Sequence, residues 1–213
     1  MNNKKFELTD EYEKIGEIKL FRIKALIDFR DVKSGDLGGF IEKEENLSHD
    51  GDAWVYDNAR VYDNARVSGN ARICDNARVG GNARIYDNAQ VCGDALVYGD
   101  ARVRNDAWVC DDAWVSGNAE VCGNAEVCGN AWVCGDAQVS GNADYTTIKG
   151  FGTVFRTTTF FRCKDKRICV SCGCFYGTIN QFREQVKRTR KGKIAKEYLM
   201  IADLMEMHFG KEV

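Results

Sequence analysis

Between Ala53 and Ala143 small and aliphatic positions fall on a fixed beat. Alanine recurs at every sixth residue, from Ala53, Ala59 and Ala65 to Ala143; each follows Asn or Asp, and Val or Ile stands two residues later from Val55 to Val139. A helix of 3.6 residues per turn would carry residues six apart to different sides, whereas an extended strand keeps each alanine and the aliphatic residue two later on one face. Between these strands lie pairs such as Asp57-Asn58, Gly69-Asn70, Gly81-Asn82 and Gly99-Asp100, which suit sharply bent backbone. Each hexad therefore predicts one short strand and one corner. Strands this brief bury too little alone, so successive turns must stack into a solenoid with a shared core of Ala, Val and Ile.

The beat is absent at both ends. Residues 1–46 hold strand-like runs at Lys5 to Leu8 and Ile18 to Phe29, then the turn-rich Ser34-Gly35-Asp36-Leu37-Gly38-Gly39 ahead of Phe40 and Ile41. They predict an N-terminal β cap, because an open first coil would present unpaired backbone groups and a bare apolar end. The repeat occupies residues 47–144. Residues 145–213 predict an α+β unit: strands from Val154 to Phe161 and from Arg167 to Cys172, a helix capped by Thr178 that aligns Ile179, Phe182 and Val186, and a second helix aligning Tyr198, Ile201, Met205 and Phe209.

Composition supplies bounds rather than chemistry. The 213 residues allow one or two domains, and a net charge of -2 gives no global attraction to nucleic acid or an anionic membrane. No apolar run approaches the roughly 20 residues that span a bilayer. The opening MNNKKFELTDEYEKIG lacks the apolar stretch of a secretory signal, so the expectation is a soluble cytoplasmic protein whose ten cysteines are reduced.

Over residues 47–143 the Ala-x-Val hexads resemble those of the hexapeptide-repeat proteins. That resemblance implies a left-handed parallel β-helix with three hexads per triangular coil, hence about five coils and a height of about 24 Å at the spacing of paired strands. Many members of that family are acyltransferases, which place a general-base histidine on a coil and interrupt the repeat with a loop beside the acceptor pocket. Here the two histidines, His49 and His208, lie outside residues 53–143, and the register never breaks. His49 holds the phase of an inward aliphatic residue one hexad before Val55, which suits burial or capping, and His208 falls in the second helix. Two distant histidines also cannot build the zinc centre of the related carbonic anhydrases. No catalytic residue and no cofactor are assigned.

Three further stretches tie the chain to a narrower group: Gly35-Asp36-Leu37-Gly38-Gly39-Phe40-Ile41-Glu42, the coils, and Val170-Ser171-Cys172-Gly173-Cys174-Phe175-Tyr176-Gly177-Thr178. In these it resembles uncharacterised hexapeptide proteins of phages and prophages of Gram-positive bacteria. That resemblance implies a setting in a host cytoplasm and carries no activity.

With three hexads per coil, residues 18 apart share a column on one outer face. The first column reads Tyr56, Cys74, Cys92, Cys110, Cys128. A single row lacks the tetrahedral enclosure of zinc, so it reads as a mildly apolar surface suited to a subunit contact. A second column reads Arg66, Arg84, Arg102, then Glu120 and Gln138, with Arg104 beside Arg102. These arginines, with Arg60 and Arg78, are the candidate anion site; the competing reading is neutralisation by corner carboxylates Asp63, Asp87 and Asp100. The third column reads Arg60, Arg78, Leu96, Trp114, Trp132, flanked by Tyr62 and Tyr98, and Trp114 and Trp132 should stack. Trp54 and Trp108 repeat the pattern sparsely elsewhere. Aromatic side chains outside an Ala/Val core call for a cover: a second subunit, the chain's own ends, a host protein or a planar ligand. Asp94, Asp111 and Asp112 could be offered to calcium, but Asn/Asp side chains bonded from coil to coil explain the corners better.

In the tail, Cys163, Cys169, Cys172 and Cys174 could ligate zinc, although the spacing lacks two separated C-x2-C knuckles. Lys187, Arg188, Arg190, Lys191, Lys193 and Lys196 read as a solvated face rather than a nucleic-acid contact. The expected function is a non-catalytic binding or scaffold protein, a homo-oligomer (trimer or dimer), with a host protein or a small anionic or nucleotide ligand as partner. An acyltransferase-like enzyme is the alternative; a purely structural polymer is opposed by the distinct ends.

Overall fold

The computed structural model describes residues 4–210. A hairpin of β1 (Phe6–Ile15) and β2 (Ile18–Ala25) leads through β3 (Leu37–Ile41) into fifteen two-residue strands, β4 (Trp54–Val55) to β18 (Gln138–Val139). Each of these pairs in parallel with the strand three hexads on, as in the row Arg60, Arg78, Leu96, Trp114, Trp132. The result is a parallel β-solenoid whose three sides are separate sheets. Every alanine from Ala53 to Ala137 and the aliphatic residues from Val55 to Val139 are buried. The protein is thus a parallel β-solenoid built on a six-residue repeat.

The corners explain the polar half of the repeat. The first corner residue, at every sixth position from Asp57 to Gly135, has a left-handed φ between 51° and 71°, a region open to Gly, Asn and Asp. Where that residue is Asp, its carboxylate accepts the backbone N–H of the residue 18 positions later: Asp63 from Gly81 at 3.0 Å, Asp75 from Gly93 at 2.8 Å, Asp111 from Gly129 at 3.0 Å. The second corner residues bond side chain to side chain, Asn64 to Asn82 at 3.2 Å and Asn82 to Asp100 at 3.0 Å. Corner carboxylates are therefore structural acceptors.

A parallel ladder is polar, and its two ends need opposite chemistry. Backbone N–H groups donate toward the C-terminal end, as Arg66 N to Ala83 O at 2.9 Å, so the first coil has carbonyls without partners and the last coil has amides without partners. At the first coil the buried Lys5 Nζ donates to Gly51 O at 3.1 Å and Ala53 O at 2.8 Å, and the buried Asn46 Nδ2 donates to Ala65 O at 2.8 Å. At the last coil, Thr159 Oγ1 accepts from Trp132 N at 2.9 Å, Asn142 Oδ1 from Glu126 N at 2.8 Å and Tyr145 Oη from Cys128 N at 3.3 Å. Both termini thus close edges that would otherwise pair with another chain.

Several expectations need correction. β3 pairs with Arg60-Val61 and Leu47 bridges Val67, which lengthens the prism from five coils to about six turns although β3 lies outside the hexad. The first strand runs on to Ile15 because it pairs with β2 as a hairpin, and β2 stops at Ala25. The tail forms four antiparallel strands, β19 (Tyr145–Phe151), β20 (Arg156–Arg162), β21 (Ile168–Cys172) and β22 (Phe175–Thr178), before α1 (Ile179–Thr189) and α2 (Gly192–Phe209). Thr178 caps α1 reciprocally with Gln181, as expected. Cys163 and Cys169 form a disulfide, Cα atoms 6.4 Å apart, because the β20–β21 turn brings them together beneath the last coil; not all ten cysteines are reduced thiols. No described helix is long and apolar enough to cross a membrane.

Candidate binding faces of the prism

Each outer face is a set of columns held at strand spacing, so its chemistry follows from which side chains the caps cover. On the third-column face Trp114 and Trp132 stack at 4.9 Å with planes 7° apart, as their register requires. Trp114 remains 39% exposed. Trp132 is half-buried where β20 of the tail crosses the last coil, and Leu96 is half-buried. Tyr62 is buried with Leu20 and Phe40 under the hairpin, and its hydroxyl meets that of the half-buried Tyr98. Trp54 is 1% exposed, its indole edge-on to Phe6 and Phe29. Tyr62 and Trp54 are therefore not surface groups: the chain's own N-terminal segment is their cover. Trp108, 42% exposed, stands on a separate face with its Nε1 donating to Cys92 Sγ at 2.8 Å.

The arginines divide in the same way. Arg60 is bound through two nitrogens to Glu13 of β1, and Arg104 donates to Glu120 at 2.7 Å. These carboxylates raise both guanidinium pKa values and remove Arg60 and Arg104 from the candidate anion site. Arg66, Arg84 and Arg102 stand in one exposed in-register row. Among the described residues neither these three nor the exposed Arg78 has an ion pair. The carboxylates expected to neutralise the row accept elsewhere: Asp63 from Gly81 N, Asp87 from Asn105 N, Asp100 from Asn82 Nδ2. The row lines a shallow groove of about 420 Å³ with Asn64, Asn82 and Asp100.

His49 is a cap residue. Its Nδ1 accepts from Lys5 N at 3.1 Å, its Nε2 lies 2.6 Å from Glu44, and its ring stacks on Phe6 at 4.4 Å. Lys4 and then His49 hold the Glu44 carboxyl below its ordinary pKa. An open cleft of about 520 Å³ joins Glu44 and His49 to Arg66 and Ser68. His208 packs edge-on to Phe209. The tail cysteines do not converge: Cys163 and Cys169 bond each other, Cys172 accepts from Thr158 Oγ1 at 3.1 Å, and Cys174 is exposed. The four-cysteine zinc reading is thereby withdrawn. The basic tail residues from Lys187 to Lys196 are exposed, with Lys187 and Lys193 paired to Glu184 and Glu197.

Sequence reasoning missed Lys5, Asn46 and Glu13, since each acts on the repeat from outside it and no periodicity marks it. The alliance of Trp108 with Cys92 was hidden for another reason: the contact is diagonal, between adjacent columns of one face.

Comparison with known proteins adds to this geometry. Residues 53–69, 59–75, 71–87, 77–93 and 89–105 match the family described as the YdcK β-solenoid repeat. These matches fall within the hexad repeat, residues 53–105. The uncharacterized acetyltransferase YdcK of Escherichia coli (strain K12) is 37% identical over 62 residues, 25% of this chain and 19% of the relative. The matched part thus spans about a fifth of that protein.

Proposed function

We propose that this protein is a non-catalytic binding scaffold that holds a phosphate-rich anion on its arginine face and associates with a second copy through the Trp114 face. One observation carries the reading: Arg66, Arg84 and Arg102 are in register without a carboxylate partner among the described residues, although acidic corners lie beside them. Guanidinium groups grip oxyanions through paired N–H donors, and a row about 4.8 Å apart suits successive charges of a chain of phosphates. A rigid Ala/Val prism preorganises that row, so little ordering opposes binding. In the phage or prophage setting that its terminal segments resemble, such a protein would sequester or block a host factor, including one of host defence.

Calorimetric titration with inorganic tripolyphosphate at low ionic strength tests this. Saturable binding that weakens with added salt and falls at least tenfold in Arg84→Glu is the expected result. Equal binding by Arg84→Glu would refute the site, and ATP run in parallel shows whether a nucleotide is preferred to phosphate alone.

The similarity to a protein named an uncharacterized acetyltransferase makes acyl transfer the second reading. It requires a free base, and both nitrogens of His49 are already engaged. Release of free coenzyme A from acetyl-CoA, lost in His49→Ala, would establish it.

A further inference from the structure

The face between the other two carries four thiols in one column, Cys74, Cys92, Cys110 and Cys128, on successive coils. All four are free of disulfides; Cys110 is buried and the others are half-buried. The Sγ atoms of Cys74 and Cys92 lie with an Asp75 oxygen inside a sphere of mutual distances under 4.8 Å, and those of Cys110 and Cys128 lie likewise with Glu126. Two sulfurs of a flat sheet cannot surround a tetrahedral ion. They can grip an ion that takes two ligands in a line, since twice a metal–sulfur bond of about 2.3 Å is about 4.6 Å, one strand spacing. The backbone ladder fixes that separation, Cys74 N donating to Val91 O at 3.0 Å and Cys92 N to Val109 O at 2.9 Å.

Surroundings discriminate further. Trp108 Nε1 donates to Cys92 Sγ at 2.8 Å, a bond that strengthens when the sulfur becomes a thiolate. The Arg72 side chain stands beside Cys74, and Tyr145 Oη is 3.8 Å from Cys128 Sγ. An ion held by two of these sulfurs displaces the proton of each thiol. Soft thiolate ligands select such ions as copper(I).

We propose that the cysteine column binds two soft monovalent d10 ions, copper(I) by chemistry, one between Cys74 and Cys92 and one between Cys110 and Cys128. Each ion forms two metal–sulfur bonds and releases two protons, with no change of oxidation state: Cu⁺ plus two R–SH gives [RS–Cu–SR]⁻ plus two H⁺. Asp75 and Glu126 remain beside the sites as weak oxygen donors. This inference is independent of the arginine face.

The test is anaerobic titration of the full chain with copper(I) supplied as its acetonitrile complex, read by native mass spectrometry and by ultraviolet thiolate-to-metal absorption. A Cys174→Ser background removes the exposed tail thiol. Two bound ions are expected, with one lost in Cys92→Ser or Cys74→Ser and both lost in Cys92→Ser/Cys128→Ser. Binding of the first equivalents should also quench Trp108 emission, a loss absent in Trp108→Phe. A double variant that keeps both ions, a wild-type chain that binds none, or stoichiometric zinc retention by the same cysteines would overturn the proposal. Circular dichroism matching the wild type shows that a variant's lost ion is not lost fold, and Cys74→Ser offers a second route if Cys92→Ser does not fold.

Discussion

Tyr62 and Tyr98 meet hydroxyl to hydroxyl, 2.5 Å apart, above Gly80 of the intervening coil. A Cβ on Gly80 would stand 2.8 Å from Tyr98 Cε1 and 3.0 Å from Tyr62 Cε2. The pair therefore closes over a place where the column has no side chain, and the hairpin closes over the pair. Gly80→Val is expected to wedge the rings apart and lower unfolding free energy by about 1–3 kcal/mol, the usual range for overpacking. Chemical denaturation checks this, and an unchanged midpoint would show that the lid over Gly80 is loose.

The corners make a second claim. Asp111 combines a left-handed φ of 57° with a carboxylate that accepts Gly129 N at 3.0 Å. Asp111→Ala removes the acceptor and puts alanine in that conformation, so it should destabilise by roughly 1–3 kcal/mol, whereas Asp111→Asn keeps the acceptor and should cost far less. Equal losses in thermal unfolding would refute the acceptor role.

Lys5 supplies a pH signature. Burial pulls its pKa down to about 8 against the opposing pull of Asp52 and Asp50. Between that value and the ordinary 10.5 the unfolded chain binds more protons at this site than the folded one, so its contribution to stability rises as pH rises through the window. The wild type should gain stability over Lys5→Met from pH 8 to 10.5, by on the order of 3 kcal/mol in all. A difference between the two that is flat with pH would contradict the buried, charged lysine.

The prism was legible in the sequence because its constraints repeat: Ala and Val every six residues, Gly, Asn or Asp wherever φ is positive, and columns that follow from register. Stacking of Trp114 on Trp132 followed from that register alone. What covers each column was not legible. Trp54 and Trp108 stand at the same repeat position, yet Phe6 and Phe29 bury the first and leave the second exposed. Arg60 and Arg66 look alike in sequence, and only the fold of β1 brings Glu13 to one of them. The tail strands escaped for a simpler reason: Tyr145–Phe151 and Phe175–Thr178 are mostly half-exposed and show no clean alternation.

Self-association is expected to use the Trp114 face, where the caps leave an exposed indole stacked on its half-buried neighbour. Light scattering should report a dimer or trimer for the wild type and a smaller species for Trp114→Ala, since removing a central aromatic anchor commonly costs 2 kcal/mol or more. An oligomer untouched by Trp114→Ala would place the interface elsewhere.

The arginine row gives the most direct test, because in-register guanidinium groups that form no ion pair among the described residues should weaken the protein that carries them. Adjacent guanidinium charges at strand spacing repel by about 1 kcal/mol even in water, and Arg84 has such a neighbour on either side. The decisive measurement is thermal unfolding of wild type and Arg84→Gln at low ionic strength, with and without inorganic tripolyphosphate. Arg84→Gln is expected to melt higher than wild type without the anion and to lose most of the anion-induced rise. A variant that melts lower without anion, or that keeps the full rise, would contradict that expectation.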